Sequence, residues 1–87
     1  MKYVYEVTRM YGTAPSNYEV ASIGFFSNAE KAVNAAAAEY DVEGVQLTVE
    51  RQDKALDTLR HTAGVWLSDS DGADGNIHFV IDKRPVY

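Results

Sequence analysis

The chain has 87 residues, 46% of them apolar and 24% charged, with 13 acids against 8 bases for a net charge of −5. That length and composition fit one domain, residues 1–87, with enough apolar side chain for a core that needs no cross-link. The absence of cysteine excludes disulfides, thiolate metal sites and cysteine nucleophiles, and the acidity opposes non-specific binding to nucleic acid.

Lys2–Tyr11 alternates Tyr3, Tyr5, Val7, Arg9 and Tyr11 against Val4, Glu6, Thr8 and Met10, and its aromatic and β-branched residues predict a strand. Residues 12–17, Gly-Thr-Ala-Pro-Ser-Asn, are turn formers. Tyr18–Phe26 predicts a second strand, with Val20, Ser22, Gly24 and Phe26 on one side and Ala21, Ile23 and Phe25 on the other. The two strands are expected to form an antiparallel hairpin.

Ser27-Asn28-Ala29-Glu30 has the spacing of a capping box, with Ser27 as N-cap. A helix from about Asn28 to Tyr40 is expected to follow, with an apolar line through Ala29, Val33, Ala36, Ala37 and Tyr40. Gly44 is available for a left-handed C-terminal position. Val45–Arg51 alternates Val45, Leu47 and Val49 against Gln46, Thr48 and Glu50, which predicts a strand with one wet face. Gln52–Thr62 reads two ways: a strand, favoured by its shortness and a turn at 51–54, or a helix striped by Ala55, Leu56 and Leu59. Val65–Ser68 and Ile77–Ile81 predict strands joined by the polar loop 69–76, and Pro85 is expected to end the last one. The expected fold is α+β: a twisted, mostly antiparallel sheet of five to six strands, ordered ββα then ββββ or βββ, with one helix packed on one face.

No apolar run approaches the roughly 18–20 residues of a membrane span. The segment Met1–Glu6 lacks a signal-peptide core, so a cytoplasmic, unprocessed chain is expected.

Little in the sequence points to catalysis or cofactors. Asp69, Asp71, Asp74 and Asn76 lie in one loop, but an EF-hand would need Gly where Asp74 stands and Glu where Val80 stands. His61 and His78 are seventeen positions apart with no ligand spacing around them; a small metal enzyme built on the pair would require the fold to unite them. There is no nucleophile elbow and no phosphate loop. No enzyme activity, cofactor or metal is expected.

Charge is the feature with direction. Between Glu39 and Asp74 stand nine acids, Glu39, Asp41, Glu43, Glu50, Asp53, Asp57, Asp69, Asp71 and Asp74, against the three bases Arg51, Lys54 and Arg60, a local balance of −6. These nine are the expected partner-binding residues, for a basic protein or ribonucleoprotein surface, with exposed tyrosines as anchors. Direct nucleic-acid binding is not expected.

The first half also resembles small proteins of phages and prophages. The resemblance rests on the opening strand Lys2-Tyr3-Val4-Tyr5-Glu6-Val7, the run Gly24-Phe25-Phe26-Ser27, the helix start Glu30-Lys31-Ala32 and, near the end, Phe79-Val80-Ile81-Asp82. In size, acidity and lack of a catalytic set the chain is similar in kind to anti-CRISPR proteins. That likeness implies a phage-encoded inhibitor of a CRISPR effector, acting in the host cytoplasm. The alternative expectation is a small homo-oligomer, possible as a homodimer, that uses strand edges or the tyrosine face for assembly in a phage or mobile element.

Overall fold

A computed structural model describes residues 2–11, 19–68 and 77–86, with side chains at all of these except 11, 19 and 77. The elements are β1 (Lys2–Tyr11), β2 (Glu19–Phe26), α1 (Ala29–Val42), α2 (Val49–His61), β3 (Gly64–Ser68) and β4 (Ile77–Val86). The fold is α+β. Among the described residues the strands make one antiparallel sheet in the order β2-β1-β4-β3. Both helices pack on the same face of it.

That architecture departs from the expected five to six strands and single helix: the described residues form four strands and two helices. The expected strand Val45–Arg51 is an extended connection that ends at Thr48, and Gln52–Thr62 belongs to a helix. Thr48 is the N-cap of α2; its hydroxyl accepts from the Arg51 amide at 3.2 Å. Glu50 lies in the first turn and Arg60 and His61 in the last, each matched to the sign of the helix dipole there. Leu47 is buried and Val45 packs against the core, so their alternation is real. It stops there, because Val49 is exposed.

The N-cap of α1 is Asn28, one residue later than the expected Ser27. Asn28 is extended, with φ −148° and ψ 163°, and its side chain accepts from the Lys31 amide at 2.8 Å. Asn caps as well as Ser, so the shift costs little. At the other end Gly44 takes the left-handed position, φ +80°. The Gly44 amide donates to the Asp41 carbonyl at 3.0 Å and the Val45 amide to the Tyr40 carbonyl at 2.9 Å, the pair of bonds of a Schellman stop.

The hairpin of β1 and β2 carries a bulge. Val7 pairs with Gly24 and Thr8 with Ser22, which leaves Ile23 as the extra residue. Gly24 absorbs the bend at φ +156°, where a side chain would be strained. The bulge corrects the simple alternation expected for β2: Phe25 falls opposite Glu6, and Phe26 opposite Tyr5, so Phe26 joins Ile23 against the core.

β4 runs through Pro85 to Val86 and does not stop short of the proline. The Lys83 amide donates to Ala63 at 2.8 Å, on the β3 side. Two residues on, Pro85 is oriented the same way, but β3 pairing has ended at Gly64↔Asp82. Its missing N–H therefore breaks no ladder bond.

The core lies between the sheet and the helices. Val7, Phe79, Ile81 and Leu67 come from the strands; Ala32, Val33, Ala36 and Tyr40 from α1; Ala55 and Leu59 from α2; and Leu47 from the connection. Alanines on α1 let it approach the sheet closely. Tyr40 is fully buried: its ring meets Phe79 edge-on at 5.0 Å and its hydroxyl donates to the Leu67 carbonyl at 3.1 Å.

Candidate interaction surfaces

The topology gives the domain two ends. β1 starts, β2 ends, α1 starts and α2 ends at one of them; α1 ends, α2 starts, β3 ends and β4 starts at the other. Of the expected partner-binding acids, Glu39, Asp41, Glu43, Glu50 and Asp53 share the second end, on the last turn of α1 and the first turns of α2. Ser68 and Ile77, which flank the loop holding Asp69, Asp71 and Asp74, reach this same end, but those three acids lie outside the described residues. Asp57 is not brought there. It sits in the last half of α2, 3.8 Å from His61 one turn on.

Two acids of the cluster have internal work. Arg9 stands on the helix-facing side of β1, opposite Ala21 and Phe79, with its side chain only 10% exposed. Its guanidinium reaches Glu43 at 2.7 Å and Glu39 at 3.9 Å. α1 has no basic residue in its last turn, and Arg9 supplies from the sheet the positive charge that the helix C-terminus and its acids lack. Asp41, Glu50 and Asp53 remain exposed, beside the exposed apolar Val42 and Val49.

At the opposite end a hollow of about 320 Å³ is lined by Tyr3, Arg60, His61, Thr62, Ala63, Lys83 and Pro85. Lys83 is held in it: its ammonium lies 4.5 Å over the Tyr3 ring and donates to the Leu59 carbonyl at 3.3 Å, on the last turn of α2. A larger groove of about 560 Å³ opens beside Lys2–Tyr5, where β1 extends past the end of β2. Among the described residues its lining contains no carboxylate, histidine or cysteine side chain.

The expected tyrosine anchors divide. Tyr3 is partly exposed, Tyr5 is half-buried on the helix side and Tyr40 is core; Tyr18 and Tyr87 lie outside the described residues. The tyrosine face of β1 is thus the face the helices cover.

His61 and His78 are not brought together. His61 ends α2, whereas His78 faces away from the helices and meets Trp66 edge-on at 5.7 Å. Among the described residues no group of three or more His, Cys, Asp or Glu is placed to hold a metal ion. Nor is any helix among them long and apolar enough to cross a membrane.

The face away from the helices was not singled out by sequence reasoning, although the alternation of β1 implies it. Pairing places three rows across it, from β2 through β1 and β4 to β3. They are Val20–Met10–His78–Ser68, Ser22–Thr8–Val80–Trp66 and Phe25–Glu6–Asp82–Gly64. No helix or loop among the described residues covers these rows. Trp66 is 58%, Phe25 61% and Val20 66% exposed. Glu6 is tied within the face: Arg84 reaches it at 2.9 Å, and the Ser22 hydroxyl donates to it at 3.3 Å.

No protein-family model, curated protein or solved structure matches this chain.

Proposed function

We propose that this protein is a non-catalytic binding protein that masks a basic, nucleic-acid-handling surface of another macromolecule. In its specific form the reading is a phage-encoded inhibitor, anti-CRISPR in kind, that docks on a CRISPR effector in the host cytoplasm. The observation that carries the proposal is the acidic end of the helical layer. There Asp41, Glu50 and Asp53 are exposed, and so are the apolar Val42 and Val49. Exposed carboxylates at one end of the layer favour a basic partner. Glu39 and Glu43 contribute to the field there while holding Arg9.

The test is capture from host lysate and from purified CRISPR ribonucleoproteins, followed by binding kinetics across a salt series. Association is expected to slow at least about tenfold as salt rises from low to several hundred millimolar, because screening shortens the reach of the field. Asp41→Lys, Glu50→Lys and Asp53→Lys together are expected to abolish capture while leaving the circular dichroism spectrum intact. Binding that ignores salt, or survives this triple reversal, would remove the electrostatic basis of the proposal.

A further inference from the structure

The uncovered sheet face points to a second occupant, and we infer that it is another copy of this chain: two domains pack face to face into a two-fold dimer with helices on both outer sides. The inference is independent of the acidic surface, which lies on the helical layer.

Size is the first argument. Strands of ten, eight, five and ten residues at about 4.8 Å spacing and about 3.4 Å per residue give about 540 Å² of sheet per copy, or about 1,100 Å² across a pair. A specific interface needs about 1,000 Å² in total, so this face alone is large enough.

Shape is the second argument, and it selects a copy of the same chain. A two-fold axis running along the strands between β1 and β4 lays the β3 edge of one copy over the β2 edge of the other, row on row. In the row Ser22–Thr8–Val80–Trp66 this sets Trp66 over Ser22, in the hollow between Val20 and Phe25. In the row Phe25–Glu6–Asp82–Gly64 it sets Phe25 over Gly64. Each of the largest exposed side chains thus meets the smallest residue of its own row. Thr8 meets Val80, and Met10 meets His78. Such pairing, i with j and j with i, is what an isologous interface requires. Gly64 cannot easily gain a side chain, since a Cβ there would approach Asp82 Oδ1 at 3.1 Å and the Ile81 carbonyl at 3.2 Å.

Charge limits the strength of the pair. The rotation brings Glu6 toward Asp82 of the other copy, so four carboxylates gather against two Arg84 side chains, each of which bridges its own Glu6 at 2.9 Å. Sheets packed this way cross at about 30°, which keeps the rows in register near the centre of the face.

Sedimentation equilibrium of the full chain, with the emission of Trp66 as its only tryptophan signal, tests the inference. The expected result is a monomer–dimer equilibrium, with a blue shift of emission as dimer forms. Phe25→Lys and Trp66→Lys are each expected to weaken dimerisation at least about tenfold, as loss of a central aromatic does. Ser22→Leu fills the hollow and is expected to weaken it as well, whereas Glu50→Gln on the helical layer is expected to leave it unchanged. Circular dichroism confirms that each variant is folded. A chain that stays monomeric at all concentrations overturns the inference. So does a dimer that persists in folded Phe25→Lys and Ser22→Leu variants, because a dimer held through the helical layer would not feel these changes.

Discussion

Removing the Glu43 carboxylate is expected to harm the fold more than removing the Arg9 charge it pairs with. Arg9 is nine-tenths buried, with Glu43 at 2.7 Å and Glu39 at 3.9 Å, and both carboxylates are partly exposed. Two unit charges about 4 Å apart attract by about 4 kcal/mol at an effective dielectric of about 20, and burial of the guanidinium costs several kcal/mol in the other direction. The pair therefore contributes little net stability against an apolar replacement. Glu43→Gln removes the nearer of the two carboxylates described beside the buried cation, while Glu39 stays at 3.9 Å. A fully buried charge left without any partner costs about 3–5 kcal/mol; with Glu39 retained and solvent near, about 1–2 kcal/mol is expected. Arg9→Met keeps a long apolar stem against Phe79 and removes the charge, so its stability is expected to lie within about 1 kcal/mol of the parent. Glu39→Gln combined with Glu43→Gln is expected to cost more than Glu43→Gln alone. Urea unfolding followed by far-ultraviolet circular dichroism reads these differences as midpoint shifts of about 1 M for each 1–2 kcal/mol, given the slopes of small domains. If Arg9→Met costs more than Glu43→Gln, the pair is a net source of stability, and the reasoning from desolvation is wrong.

Two further substitutions probe the helices. Thr48→Ala removes the hydroxyl that caps α2 and is expected to cost about 1 kcal/mol, with Thr48→Asp retaining stability; an unchanged unfolding midpoint for Thr48→Ala would contradict the cap. Tyr40→Phe deletes the donor to the Leu67 carbonyl and is expected to cost about 1–2 kcal/mol, with amide exchange quickened in β3 more than in β2; uniform exchange would show that this bond does not anchor the edge strand.

The hairpin, α1 and the last two strands are legible in the sequence because each has one dominant period and marked ends. Tyr and Val alternate through β1, alanines recur at helical spacing through α1, and Gly44 marks its stop. α2 is concealed because two short signals overlap. Val45 and Leu47 do point inward at period two, and only Val49 breaks the pattern by turning to solvent. The helix signals that decide the matter are electrostatic: a Thr48 cap, Glu50 early, Arg60 and His61 late, and Asp57 one turn before His61. The acidic bias of residues 39–74 is visible in the sequence, yet its division is not. Arg9 lies more than thirty positions before Glu43, and only the packing of α1 on β1 reveals that Glu39 and Glu43 serve it. The uncovered face was implied by the even-numbered residues of β1 but required the strand order to become a surface.

β1 precedes and β4 follows every other described element, yet they are neighbours at the centre of the sheet along all ten residues. Val7 has to wait for Ile81, and Arg9 for Phe79, before the core can close. Contacts that distant are slow to form, and a chain that carries them exposes its apolar strands while it is being made. A ribosome that stalls before residue 77 leaves the hairpin, the two helices and β3 without their central partner. Shortened versions of this chain should therefore aggregate or be degraded rather than persist as smaller folded domains.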